Sequence, residues 1–154
     1  MKGILAIEPS GPPFEDNFLR TGTARPYGIA NTPLTYDPPV VNPTIDLPAS
    51  IVHLSPAACR AGLTDYKLQA EPVRKLVNIA QVPIMVVTSE SGYHAVYDFA
   101  TVEYLRQAGV SEVEHLELGK EGIHGNGHFL FMEKNHLEVV ERVGKWVKTI
   151  SERL

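Results

Sequence analysis

All 12 prolines of this chain lie at or before Pro83, and ten of them fall between Pro9 and Pro56. A proline withdraws a backbone donor and biases the residue before it toward extended conformations. The stretches RPYG, TPLTYDPPVVNP and DLPAS therefore read as coil and turn, and residues 9–65 as one long, structured loop. Phe14, Phe18, Tyr27 and Tyr36 make that segment too apolar for a solvated linker, so it is expected to pack as a lid-like insertion.

The rest of the chain, 66–154, has regular hydrophobic periodicity and reads as α, β, α, β, α. EPVRKLVNIAQ, with Pro72 in a first helical turn, predicts a helix, and the β-branched run VPIMVVT a buried strand. DFATVEYLRQAGV places Phe99, Val102 and Leu105 on one helical face and stops at Gly109; SEVEHLEL then alternates as a strand does. The last segment, NHLEVVERVGKWVKTI, predicts a surface helix capped by Asn135, with an apolar stripe through Leu137, Val140, Val143, Val147 and Ile150. Glu138–Arg142 and Glu141–Lys145 add ion pairs at i,i+4. With the opening run Ile4 to Ile7 as a first strand, the expected class is α/β: about three parallel strands joined by right-handed crossover helices. Three parallel strands make a thin sheet with an open apolar edge, so the chain reads as an incomplete domain that invites another chain.

Composition narrows the function classes. With 154 residues, 44% of them hydrophobic, one domain with a real core is expected. A net charge of -4 supplies no basic stripe for nucleic acid or for an anionic membrane surface. The apolar runs ILAI and PIMVV are far shorter than a bilayer span, and residues 1–20 lack the basic and apolar regions of a signal peptide. Cys59 is the single cysteine; it reads as a packed thiol, and its solitude favours a reducing, cytoplasmic location.

Chemistry concentrates in KEGIHGNGHFLFMEKN, between the last strand and the last helix, where open α/β sheets carry their sites. Gly122, Gly125 and Gly127 allow a tight turn that aims His128 over the sheet as a general base. Glu8 closes the first strand among apolar neighbours, where a carboxylate needs a partner; an imidazole suits it, and Arg25 is an alternative. VVTSESGYHAVYD places Glu90, His94 and Asp98 just past the second strand, which makes Glu90 the rival acid and Asp98 a helix cap. His124 and His128 are four apart, but the intervening glycines argue against a helix and HExxH is absent, so no metal or cofactor is expected.

The set IEPSGPPF, RPYG, PLTYDPPV, LQAEPVRKL, SESGYHAVYD and GIHGNGHFLFMEKN is similar to a branch of bacterial and fungal α/β-hydrolase esterases, over nearly the whole chain. The resemblance implies the C-terminal part of an α/β-hydrolase fold and a Ser-Glu-His triad in which Glu8 is the acid and His128 the base, with His124 the lesser choice. It also implies a small ester substrate; if the proline-rich loop serves as a lid, Phe14, Tyr27 and Tyr36 are expected to line an acyl pocket. The GxSxG nucleophile elbow should precede the first strand and occurs nowhere in the chain. None of Ser10, Ser50, Ser55, Ser89, Ser91, Ser111 and Ser151 has the strand-turn-helix setting of a nucleophile. The chain by itself is then expected to be inactive and to need a complementing N-terminal half. A reading from another class is a non-catalytic remnant that binds partners or self-associates through its sheet edge.

Overall fold

The computed structural model describes residues 1–14 and 34–153. Its centre is a parallel three-stranded sheet in the order β1 (Ile4–Ile7), β6 (Ile84–Thr88), β7 (Val113–Glu117). Every residue of β6 is buried, as a β-branched run in the middle of a parallel sheet must be. Because side chains alternate along a strand, β6 feeds two separate cores. Ile84 and Val86 pack with Val102, Tyr104 and Leu105 of α3 (Asp98–Gln107). Met85 and Val87 pack with Leu116, Leu118, Leu130 and Val139, the last from α4 (His136–Glu152). The α/β class, with helices on both faces of a parallel sheet, is the one expected from the periodicity.

Both long helices form where the pattern places them, with two differences. The chain leaves α3 at Gly109, whose φ of +90° suits a residue without Cβ, and Val110 N–H returns to the Leu105 carbonyl (3.0 Å). On α4 the inward stripe is buried Val139 and Ile150 with half-buried Val143 and Trp146, while Leu137, Val140 and Val147 are exposed. The helix is rotated from the expected face because Trp146 offers the largest apolar area and lies against Gly3, whose added Cβ would stand 3.2 Å from the indole. Asn135 does not cap α4 with its side chain, which is used elsewhere.

The proline-rich half carries more regular structure than its composition suggests. Within 34–65 lie β2 (Tyr36–Asp37), α1 (Pro43–Asp46), β3 (Ala49–Val52) and α2 (Pro56–Arg60). Pro43 and Pro56 stand in the first helical turns, where a missing N–H costs nothing, and Asn42 and Ser55 accept the cap bonds from Thr44 and Ala58. β3 pairs antiparallel with β4 (Tyr66–Gln69). The exposed α2 leaves Cys59 in solvent, so it is not the packed thiol expected.

The predicted helix over 71–81 does not form. Its place is taken by β5 (Lys75–Leu76), antiparallel to β2. The backbone bonds explain the switch: Arg74 N–H goes to the Gln69 side chain (2.9 Å) and Leu76 N–H to the Ala108 carbonyl (2.8 Å), so neither serves an i,i-4 ladder. In exchange Leu76 is fully buried beneath α3 and Tyr36. Among the described residues, no helix is long and apolar enough to cross a membrane.

Candidate active site

β1 ends at Glu8, whose N–H still bonds the Val87 carbonyl (2.9 Å) while its own φ is +43°. That region is sparsely populated by residues with a Cβ, and such conformations gather at functional sites. The turn buries the carboxylate at the carboxyl end of the sheet, between β6 and the loop that follows β7. There Oε1 accepts from Ser89 N–H (2.9 Å) and from the Ser89 hydroxyl, and Oε2 meets His128 Nδ1 at 2.6 Å. Gly92 permits the approach: its backbone (φ -75°) suits any residue, but a Cβ would lie 2.7 Å from Glu8 Oε1.

The glycine loop places the imidazole. Gly122 (φ +81°) and Gly125 (φ +79°) take left-handed conformations, whereas Gly127 does not and instead donates to Glu133 (3.2 Å). Buried Asn126 and half-buried Asn135 exchange side-chain amide bonds of 2.7 and 3.0 Å, and Ser91 N–H bonds the Asn126 carbonyl (2.9 Å). These asparagines fix the loop to the start of α4 and to the end of β6. Sequence reasoning missed Asn126, and it assigned Asn135 only to capping; an asparagine set between two glycines was the available signal.

Glu90 and His124, the rival residues, are paired with each other. Glu90 accepts from His124 Nδ1 (3.0 Å) and from Gly125 N–H (2.9 Å), and this second bond most of all holds its carboxyl below the usual range. A depressed carboxylate contributes above its ordinary pKa of ~4.3 and loses that contribution as pH falls through its folded value. Glu90→Gln is accordingly expected to unfold earlier than the parent at pH 7, and the gap between the two should narrow as the pH is lowered into the acid range. Parallel urea titrations from pH 7 downward check this, and equal midpoints throughout would count against it.

Asp98 is not a cap. It is fully buried at the start of α3 and joins His94 Nδ1 (2.9 Å) to the Thr88 hydroxyl (2.8 Å), which also meets His115 Nε2 (2.9 Å). Burial pushes the Asp98 carboxyl up, against the opposing pull of His94, and burial pushes His115 down. His94 stacks on His128 with centroids 4.9 Å apart and ring planes 4° from parallel.

Glu8, His94 and His128 offer ligand atoms within 4.8 Å of one another. An imidazole ligand binds along its ring plane at about 2.0–2.1 Å, so two parallel stacked rings do not converge on one ion. The arrangement suits proton transfer instead. With Nδ1–H donated to Glu8, His128 keeps Nε2 as a basic nitrogen, and a carboxylate behind an imidazole orients it and stabilises its charged form. Among the described residues, the expected pocket residues Phe14 and Tyr36 pack with Tyr104 in the core beside α3. Phe18, Arg25 and Tyr27 lie outside the described residues.

The fold and site thus define an α/β protein with a carboxylate–imidazole pair at the carboxyl end of its parallel sheet. No family model matches the chain. It is 45% identical over 148 residues, 96% of its length, to a protein of Fungal sp. (strain ATCC 74256) named a probable secreted lipase, phiG. The chain spans 39% of that relative's length. The similarity suggests a hydrolase of the lipase or esterase type. It also corrects the cytoplasmic expectation, since the relative is named as secreted and one unpaired cysteine is a weak guide to compartment.

Proposed function

We propose that this chain forms the C-terminal part of a secreted α/β-hydrolase that cleaves carboxylic esters through a Ser-Glu-His triad, and that it supplies the glutamate and the histidine. One observation carries the reading: Glu8 and His128, 120 positions apart, meet at 2.6 Å where α/β folds carry their sites. The name of the 45% identical relative supports the ester class. In the proposed cycle His128 Nε2 takes the proton of a serine hydroxyl as its oxygen attacks the ester carbonyl. It returns that proton to the departing alkoxide, and then activates water to release the acid and restore the serine. Glu8 keeps Nδ1 protonated and balances the imidazolium.

In this reading the serine lies in a segment N-terminal to β1, since among the described residues the hydrogen-bond partner of His128 is Glu8 and not a serine. Ser89 spends its hydroxyl on Glu8, Ser55 caps α2, and Ser111 and Ser151 donate to the Ala80 and Lys148 carbonyls. Among the described residues, strand β1 pairs on one side only, with β6, and leaves Leu5 (37% exposed) and Ile7 (40%) uncovered, which suits a further strand from that segment. The same edge favours the second reading, a non-catalytic module that self-associates.

The test compares this chain alone with the chain joined to its nucleophile-bearing portion. A fluorophosphonate probe is expected to label one serine of the joined protein, together with turnover of short p-nitrophenyl esters, and to leave the lone chain unlabelled. Stoichiometric labelling of the lone chain would refute the division of the triad. An inert joined protein, with the lone chain dimeric by light scattering, would favour the module.

A further inference from the structure

The buried histidine beside the proposed base has no role in the triad scheme. His94 is 2% exposed, and its Nδ1 is tied to the fully buried Asp98 (2.9 Å). Asp98 is held in turn by Thr88 (2.8 Å), and Thr88 meets His115 Nε2 (2.9 Å). This chain of bonds is costly to bury unless every member is satisfied, and its outermost ring lies flat on His128, 4.9 Å away and 4° from parallel. Tyr93 leans on the same ring (4.9 Å), and Phe129 meets its edge (5.1 Å, 66°). The Glu8 bond restrains Nδ1 of His128, and within the angular tolerance of that bond χ1 and χ2 still allow the ring to tilt. The stack fixes the plane, and with it the direction in which Nε2 points.

We infer that His94 is a positioning residue: anchored through Asp98, Thr88 and His115, it forms a rigid platform that sets the ring plane of His128. This rests on the reading of His128 as the base, but the platform itself is a property of the folded chain and is measurable without activity. General-base catalysis needs the nitrogen within about 2.6–3.2 Å of the proton it takes, so a pivoting ring lowers turnover and leaves substrate binding alone.

The experiment is imidazole nitrogen NMR of the isotope-labelled chain, with the amide spectrum as the check on folding. The parent is expected to show one sharp His128 signal pair with the proton on Nδ1. His94→Ala should broaden or average that pair, and His94→Phe, which keeps a flat ring, should restore most of it. Asp98→Asn should fall between them. In the joined enzyme His94→Ala is expected to lower kcat about tenfold with KM unchanged, and His94→Phe to recover most of the loss. A folded His94→Ala chain with the parent's His128 signals would overturn the inference, as would a folded His94→Phe chain no better than His94→Ala. Should His94→Ala fail to fold, the Phe and Asn variants decide by the same signals. Loss of the signals without any effect of His128 on ester cleavage would instead sink the functional reading and leave the platform standing.

Discussion

Replacing His128 by alanine is expected to lower kcat for ester hydrolysis in the joined enzyme by about 10⁴–10⁶, with KM little changed, as loss of a base that acts only in the transition state does. The physical cause is specific: Nε2 is the proton acceptor, and no other imidazole is backed by Glu8. Glu8→Gln should cost about 10⁴, because an amide keeps the shape but neither enforces the Nδ1–H tautomer nor balances the charge. His124→Ala is the control, since it lies in the same loop and spends its Nδ1 on Glu90. It is expected to retain activity within about threefold, in keeping with a surface pair. Steady-state kinetics on all three decide the matter. If His124→Ala were the dead variant and His128→Ala the active one, the assignment of Glu8 with His128 would be reversed in favour of Glu90 with His124.

The largest stability effect is expected at Tyr104. Its ring is fully buried between α3 and the β2–β5 pair, edge-on to Phe14 at 5.7 Å, and its hydroxyl bonds that of Tyr36. Tyr104→Ala removes a large side chain from a site lined by strands and helix, which costs about 3–5 kcal/mol, and strands the buried Tyr36 hydroxyl as well. At roughly 2–4 °C per kcal/mol for a chain of this size, the melting temperature should fall by about 10 °C. Tyr104→Phe keeps the packing, loses only the hydroxyl pair, and should cost about 1–3 kcal/mol. Burial pushes both phenols upward, so their contribution is complete below pH ~10 and is lost as pH rises beyond it. Thermal and urea melts measure these costs; a Tyr104→Ala protein within 1 kcal/mol of the parent would contradict the packing described.

The loop after β7 was legible as a candidate site because glycine spacing and position at the carboxyl end of a strand are local signals. The division of partners was not. Glu8 and Glu90 are both carboxylates that follow a parallel strand, and His124 and His128 share one loop, so the sequence leaves both pairings open. The left-handed turn at Glu8 and the space at Gly92 decide the outcome, by bringing one carboxylate inward while Glu90 stays at the rim with Gly125. His94 was read as part of a hydrogen-bonded loop; its contact with His128 joins residues 34 positions apart and has no spacing signature.

The sequence alone determined the three strands of the parallel sheet, the buried β6, the two long helices and the stop at Gly109, because these follow from periodicity and backbone preference within a few neighbours. Tertiary structure decided the rest. It turned 71–81 from helix toward strand, because Gln69 and Ala108 take its donors and Leu76 gains a core. It also rotated α4 to turn Trp146 inward, and it chose which acid faces which histidine. In each case local preference was nearly balanced, and the balance was tipped by burial and by hydrogen bonds to residues distant in the chain.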